Sequence, residues 1–453
     1  MKKHASLTRR ELLAGTLCLG TCPYAGGQVP PETEKRFSPT EPPNTPMGVG
    51  KGIHPGRVVW VHRPEATRWN GQPQDRTVEP GADGEWWDDK NCDPRIVGEM
   101  VSLALRGLTG QKTDKLAWDA LFRHYNRTHG FGNTGYRSGE KITIKVNFNN
   151  DRPSEKNPNW ISGRGLPSPQ VVDSLLRQLI EEAGVPGKDI TVYDVANDRF
   201  ISSPVYDRVR SRPNSNYRDI TWLTSATKAG NGRIPPVADK TDPIRFSHKE
   251  IGYVLIPTHV VEAKYRINLA LLRPHAIAGV TLTAKNNFGS IYWPDQDYWG
   301  PRPLHPYISK KLPMGSYSPF VDLVGHRQFG GKGLLYVIDG LYAARECELN
   351  LMRFASFKDH WTASVFMSQD PVAIDSVGLD FLAAEPRATY VTGYPDNFLH
   401  EAALADSPPS GTVYAPHGER LASLGVHEHW NNPVEKKYSR NLGKGEGIEL
   451  VAL

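Results

Sequence analysis

The segment between residues 142 and 195 places the strongest constraint on the fold. Ile142–Val146 alternates apolar and polar side chains and predicts a strand. Ser168-Pro169 then begins a predicted helix whose apolar side chains recur every three or four residues until Gly184. Ile190–Val195 is predicted to be the next strand. A strand, a helix and a second strand in this order usually form a parallel pair with a right-handed crossover. The sequence therefore predicts an α/β protein with a mainly parallel sheet flanked by helices.

The rest of the chain is consistent with one large α/β domain over residues 51–453. Asp93-Pro94 and Asp370-Pro371 are typical helix starts, with a capping carboxylate followed by proline. Further strands are predicted at Arg57–His62, Tyr253–Pro257, Arg266–Leu272 and Leu334–Ile338. Long irregular insertions are predicted at about 201–250, with little core, and at about 294–332, as a covering loop. The C-terminal tail is predicted to be rich in loops.

Polar side chains follow several of the predicted strands. Lys145, Asn147 and Asn149 lie at the end of one strand, and Asp194 lies at the end of the next. In open parallel sheets, ligands bind beyond the carboxyl ends of the strands. We therefore expect these side chains to contribute to one pocket.

The stretch Leu271–Trp293 has an unusual concentration of donors after an apolar strand. His275, Lys285, Asn286 and Asn287 lie within it, among glycines that allow close approach of a ligand to the backbone. The favoured interpretation is a functional pocket. The alternative is a polar loop whose Asn and Thr side chains bond to their own backbone.

These observations give a set of candidate site residues. The predicted catalytic residues are His275, Lys285 and Asp339, and the predicted substrate-binding residues are Lys145, Asn147, Asn149, Asn286, Asn287 and Asp375. His275 could act as a general base or be a hydrogen-bonded structural histidine. Lys285 could bind an anion or brace its loop, and Asp339 could contact a ligand or belong to an Asp-Gly turn. Two lysines facing amides suit an anionic group such as a carboxylate or phosphate.

The same residues carry a family resemblance. The run GVTLTAKNNFG (Gly279–Gly289) resembles a signature of domain-of-unknown-function family 362, and KITIKVNFN, LLYVIDGLY and DPVAIDSVGLDFL support it. Some members of that family are fused to ferredoxin modules, but this chain has no Cys-x-x-Cys. We therefore expect no iron–sulphur cluster from this chain. The resemblance implies no catalytic residues.

Other function classes lack their usual marks. The sequence has no phosphate-binding Gly-x-x-x-x-Gly-Lys-Ser/Thr, no Gly-x-Ser-x-Gly and no His-Glu-x-x-His. His427-x-His429 offers only two metal ligands, and we interpret both as surface residues of the tail. The identity of any metal or cofactor stays unknown from the sequence. The pair Trp86-Trp87 next to Asp88-Asp89 is typical of a loop held by its aromatic rings, with sugar or cation binding as the alternative.

The N-terminus is predicted to be an export signal. Arg9-Arg10 precede the short apolar run Leu12–Gly20, as in a twin-arginine signal, which we assign to residues 1–27. Residues 28–50 are predicted to be an extended linker. Cleavage would remove four basic residues and Glu11, so the formal net charge would fall from +5 to +2. This balance gives no indication of nucleic-acid binding, and no later run is apolar enough to span a membrane.

The predicted function follows from the predicted export signal and the predicted pocket together. We expect an exported, periplasmic or other extracytoplasmic bacterial protein that passes through the twin-arginine export machinery and acts as an enzyme on a small anionic or polar substrate. The alternative is a non-catalytic protein that binds such a ligand or a glycan. Cys92 and Cys347 would remain after cleavage, either as a disulfide or as buried thiols.

Overall fold

A nine-stranded sheet forms the centre of the protein. The computed structural model describes residues 34–71, 84–149, 151, 165–196, 201, 203–225, 232–346 and 351–453. The strands found in all of the described residues, inside and outside this sheet, are β1 (Met47–Gly48), β2 (Arg57–His62), β3 (Ile142–Val146), β4 (Ile190–Asp194), β5 (Thr221–Thr224), β6 (Arg233–Ile234), β7 (Ala238–Arg245), β8 (Tyr253–Pro257), β9 (Tyr265–Leu271), β10 (Arg273–His275), β11 (Gly279–Thr281), β12 (Tyr292–Trp293), β13 (Tyr298–Trp299), β14 (Gly333–Gly340), β15 (Ser364–Ser368), β16 (Val426–His427) and β17 (Glu449–Ala452).

The helices surround this sheet. They are α1 (Pro94–Thr109), α2 (Asp114–Thr128), α3 (Pro169–Arg177), α4 (Ser203–Arg210), α5 (Thr258–Glu262), α6 (Thr283–Asn286), α7 (Pro319–Gly325), α8 (Pro371–Ala383) and α9 (Asn397–Ala403).

The strand order in the main sheet is β17-β2-β15-β14-β9-β3-β4-β5-β6. All of its pairings are parallel except those of β15, which runs antiparallel to both β14 and β2. The predicted α/β fold with a mainly parallel sheet and flanking helices is therefore confirmed. A smaller sheet of order β13-β12-β8-β7 and a β10–β11 hairpin lie outside it.

Both faces of the main sheet are covered. Ile142, Ile144 and Val146 of β3 pack with α1 to α4 on one face. Tyr336 and Ile338 of β14 point to the opposite face, where α6 to α9 pack. Because parallel sheets are covered on both sides, strands such as β3 and β4 are buried along their whole length.

The helix starts follow the sequence signals, with one difference. The Asp93 side chain accepts from the backbone of α1, and Asp370 does the same for α8. Ser168 makes no side-chain cap on α3. Instead, its backbone N–H and hydroxyl donate to Asp339 at 2.7 and 3.1 Å. The α-helical part of this segment ends at Arg177, and a π-helical turn continues from Gln178 to Glu182.

The predicted insertion at 201–250 contributes more than the sequence suggests. It contains α4 and the sheet strands β5 and β6. Val205, Val209 and Trp222 belong to the core. The expectation of little core was drawn from its many polar residues and is wrong for these described parts. In the predicted covering loop at 294–332, the structure forms the buried helix α7.

The predicted linker at 28–50 is held against the C-terminal part of the chain from residue 34 onward. We call residues 34–50 the N-terminal segment. The Arg36 guanidinium donates to the carbonyls of Pro386 and Glu385, and β1 pairs with β16. Polar contacts hold this segment together with the partly buried Phe37 and Met47, so a mostly polar composition that resembles a linker is sufficient.

Some sequence predictions lie outside the described residues. These are the signal at 1–27 and Cys347, whereas Cys92 is fully buried. Trp86 is also fully buried, as expected for a loop held by its aromatic rings. Among the described helices, none is both long and apolar enough to cross a membrane.

Candidate functional site

A pocket lies at the carboxyl edge of β3, β4 and β9, where the sequence predicts a ligand site. We call it the sheet-edge pocket, and its cavity has a volume of about 40 Å³. It is lined by Lys145, Asn147, Asn149, Asp194, Ala196, Arg273, Thr281, Lys285, Asn286, Phe288, Gly289 and Pro301. Five of the nine predicted site residues are therefore brought together: Lys145, Asn147, Asn149, Lys285 and Asn286.

Lys145 is a buried cation of the pocket with several polar partners. Its ammonium donates to the Val146 carbonyl at 2.8 Å and to Asn286 Oδ1 at 3.1 Å. It also lies 3.3 Å from Asp194 Oδ2, and both side chains are almost completely buried. A buried ammonium with three such partners fixes the pocket wall, because removing either charge would leave the other unpaired.

Arg273 is a pocket residue that the sequence analysis missed. Its guanidinium is buried and donates to Asn147 Oδ1 and to the Gly165 carbonyl, both at 2.9 Å. Asn147 thus orients a cation, and the same oxygen also accepts from the backbone N–H of Asn149. The available signal was the position of Arg273, directly after the apolar strand β9.

Lys285 is the more exposed cation. It lies on the short helix α6, partly exposed, with its ammonium 5.2 Å from the Phe288 ring centroid. The start of α6 is fixed by Asp375, which accepts from Thr283 and Ala284 backbone N–H groups, both at 2.8 Å. Asp375 therefore acts here through the position of α6 and does not line the pocket.

The two asparagines after Lys285 bind the sheet. Asn286 donates to Asn268 Oδ1 at 2.7 Å and to the Leu269 carbonyl at 3.0 Å. Asn287 Oδ1 accepts from the buried Arg266 guanidinium at 2.7 Å. Asn287 does not line the sheet-edge pocket. Their predicted role in substrate binding stays a prediction, and the observed contacts fix the loop.

Glycine is required at position 289 by close approach rather than by backbone angle. A Cβ atom there would lie 2.3 Å from Asp194 Oδ1 and 2.6 Å from Lys145 Nζ. The backbone of the predicted signature therefore passes directly over the ion pair, and any larger side chain would displace it.

His275 and Asp339 do not line the pocket. His275 Nδ1 accepts from the backbone N–H groups of Ile277 and Ala278, both at 3.1 Å. Burial, aided by the charge of Lys285, holds the pKa of His275 well below its usual value. The ring is therefore neutral with its proton on Nε2. The predicted general-base role stays a prediction, although Nδ1 is occupied in a turn.

Asp339 lies on the α3 side of the sheet. It accepts from Ser168 and from the backbone N–H of Leu341 at 3.1 Å, and burial raises its pKa. These bonds connect the end of β14 to the start of α3. Its predicted catalytic role also stays a prediction.

The pH dependence of stability should reveal the buried Asp375. Burial raises its pKa from 3.8 to about 7, against the hydrogen bonds from Ala284 and Thr283. Because the folded-state pKa is the higher one, the stabilising contribution is complete below about pH 4 and is lost as the pH rises through about 7. Relative to Asp375→Asn, the wild type should lose on the order of 1 kcal/mol per pH unit within this window. Urea unfolding of both proteins from pH 4.5 to 7.5 measures this, and a constant difference would contradict it.

A second group of polar side chains lies elsewhere, and it could hold a metal ion. It comprises Glu41, Asp396, His400, His427 and His429, which we call the histidine–carboxylate cluster. The interpretation of His427 and His429 as surface residues is wrong, because their side chains are only 0% and 2% exposed. The N-terminal segment covers them. Burial lowers the pKa of His427 to about 3. Burial also acts to lower the pKa of His400, but the carboxylates of Asp396 and Glu41 outweigh it and raise that pKa to about 9.

The model of the family described as Domain of unknown function (DUF362) matches residues 142–380. This range includes every residue that lines the sheet-edge pocket. The histidine–carboxylate cluster lies outside it. No curated protein matches the chain.

Proposed function

The chain belongs to the DUF362 family, whose description states no activity, so we propose a function from its own geometry: binding of a small anionic ligand in the sheet-edge pocket. The observation that carries this proposal is the charge of the lining. Lys145, Arg273 and Lys285 face the pocket together with one acidic residue, Asp194. The excess of positive charge would favour a carboxylate or phosphate group.

The polar groups of the lining have different tasks in this proposal. Lys145 and Arg273 donate hydrogen bonds to asparagine side chains of the protein, so their positive charges are held in fixed positions. Thr281 Oγ1 is buried and has no hydrogen-bond partner among the described residues. A ligand oxygen at the pocket could accept from this hydroxyl and from Lys285. Such a fixed arrangement reduces the ordering cost of binding.

Binding is better supported than catalysis. Of the three predicted catalytic residues, only Lys285 lines the pocket. An enzymatic use of the pocket would therefore depend on Lys285, and turnover of the ligand is the further part of the proposal. The protein would act outside the cytoplasm, as the basic pair Arg9-Arg10 before a short apolar run indicates.

Thermal unfolding with small anions tests the binding proposal. We expect phosphate, sulphate, acetate or malonate to raise the melting temperature of the wild type. An anion at about 100 times its Kd would raise it by roughly 3 °C or more. Phosphate and sulphate also stabilise proteins non-specifically, through exclusion from the surface. The matched control is therefore Lys285→Met, in which the specific part of the shift should fall to about half or less.

Titration of the two proteins makes the comparison quantitative. Loss of a charge-assisted contact should raise the Kd by about tenfold or more in Lys285→Met. Equal shifts and equal Kd values in both proteins would contradict a ligand contact by Lys285. No stabilisation by any anion, with chloride at the same ionic strength as reference, would contradict the proposal itself.

A further inference from the structure

We infer that the histidine–carboxylate cluster binds one divalent first-row transition-metal ion. Its side chains come from three separate parts of the chain: Glu41 from the N-terminal segment, Asp396 and His400 at α9, and His427 and His429 at β16. This inference rests on different residues from the anion proposal and does not depend on it.

The donor atoms have the spacing of ligands around an ion. Glu41 Oε1 lies 3.2, 3.5 and 3.4 Å from Nε2 of His400, His427 and His429, respectively. Asp396 Oδ2 lies 3.6 Å from His400 Nε2 and 3.9 Å from His429 Nε2. With metal–ligand bonds of about 2.1 Å, neighbouring donors around one ion are about 3–4 Å apart.

These donor atoms have no hydrogen-bond partner among the described residues. Glu41 Oε1, both Asp396 carboxylate oxygens and Nε2 of all three histidines are buried without a hydrogen-bond partner there. Buried polar atoms are rarely left in this state, since each costs free energy. A single water molecule could donate to only two of them, whereas one cation could contact a donor from every side chain.

The hydrogen bonds behind two of the rings determine where their protons lie. The Ser376 hydroxyl donates to the Val372 carbonyl at 2.8 Å, so it must accept from His427 Nδ1, also at 2.8 Å. His429 Nδ1 lies 2.5 Å from Asp380 Oδ1 and donates to that carboxylate.

Because Nδ1 carries a proton in both rings, the neutral form of each ring directs an Nε2 lone pair at the Glu41 carboxylate. The Nε2 lone pairs and the negatively charged carboxylate repel each other unless a cation lies between them. A ring nitrogen bonded to a carboxylate or hydroxyl behind it is also the usual support of a metal-bound histidine.

The donor types indicate the class of ion. Three imidazole nitrogens with two carboxylates suit Zn²⁺, Fe²⁺, Mn²⁺ or a similar first-row ion. Ca²⁺ and Mg²⁺ prefer oxygen ligands alone, and this cluster contains no thiolate for a soft ion such as Cu⁺. The two carboxylates would balance the charge of a divalent ion. The ion would also connect the N-terminal segment to the C-terminal part through Glu41.

Metal titration of the full-length mature protein tests the inference. After dialysis against a chelator, Zn²⁺, Mn²⁺, Co²⁺ and anaerobic Fe²⁺ are added separately, and bound metal is measured by elemental analysis. We expect one tightly bound ion per chain for at least one of these metals. Co²⁺ coordinated by the histidine nitrogens should show ligand-field absorption bands in the visible spectrum. Failure of all four metals to bind stoichiometrically would overturn the inference.

Variants locate the ion. Glu41→Gln and His400→Gln should raise the metal Kd by more than about 100-fold, and Ser376→Ala by about 10- to 100-fold. The matched control is Glu34→Gln, which removes a carboxylate from the same segment. Glu34 pairs with Lys310 and Lys311 at 3.1 and 2.7 Å, outside the cluster. Its metal affinity should equal that of the wild type.

Circular dichroism and urea unfolding separate loss of metal from loss of fold. If His400→Gln does not fold, Glu41→Gln still decides, because its segment lies outside the main sheet. Unchanged affinity in a folded Glu41→Gln would overturn the assignment of the site to this cluster.

Discussion

Replacement of Lys145 by Met should destabilise the protein by about 3–5 kcal/mol, the usual result of breaking a buried ion pair from one side. The Asp194 carboxylate would be left buried without its cation, since the two side chains are only 1% and 4% exposed. Asn286 would lose the ammonium that its Oδ1 accepts from. The free energy of unfolding in urea measures this loss.

Lys285→Met is the matched control for this experiment. It removes the same charge from the same pocket, but at a partly exposed position. We expect its stability to change by no more than about 1 kcal/mol. A loss of about 2 kcal/mol or more would instead indicate that Lys285 braces its loop, because buried carbonyls would be left unpaired. Equal losses in the two variants would contradict the different tasks given to the two lysines.

Replacement of both Arg9 and Arg10 by Lys should leave the full-length precursor in the cytoplasm. The change conserves charge and affects only the pair that resembles a twin-arginine signal. Replacement of both Lys2 and Lys3 by Arg is the control, since it also conserves charge and leaves Arg9-Arg10 in place. Cell fractionation followed by immunoblotting measures the outcome. Normal export and processing of the Arg9/Arg10 variant would show that the twin-arginine interpretation is wrong.

The sequence was sufficient for the main architecture because local patterns determine it. Buried strands such as β3 and β4 appear as apolar or alternating runs, and Asp93 and Asp370 cap helices through contacts with the next few residues. The antiparallel direction of β15 could not be predicted, because an apolar run does not encode direction. Its pairing with β2, more than 300 residues away, results from the global fold.

The sheet-edge pocket was partly predictable for a related reason. The carboxyl ends of neighbouring parallel strands must meet, which brings the residues after β3 to those after β9. The sequence could not show which side chains would be used internally. Asn287, Asp339 and Asp375 are as polar as Lys285, but each is bonded to another part of the fold.

The histidine–carboxylate cluster, in contrast, could not be predicted from the sequence as a set. Its five side chains are spread from Glu41 to His429, so no local spacing motif reveals the set. Two weak signals were present. His427 and His429 alternate in an extended segment, which places them on one side, and Asp396 and His400 have the i, i+4 spacing of a helix face.

Helix α8 connects the two regions. Asp375 fixes the start of α6, next to Lys285, whereas Ser376 and Asp380 orient His427 and His429. All three side chains are buried in a mainly apolar helix, where a polar group needs a partner. The polar residues within DPVAIDSVGLD are thereby explained by what each one positions.

A crystal structure with the anion that gives the largest Lys285-dependent shift is the sharpest test of anion binding in the sheet-edge pocket. We expect ligand oxygens about 2.7–3.2 Å from Lys285 Nζ and from Thr281 Oγ1. We also expect Lys145 and Arg273 to keep their present partners. An anion bound only outside this pocket, with Lys285 not in contact with it, would contradict anion binding in the sheet-edge pocket.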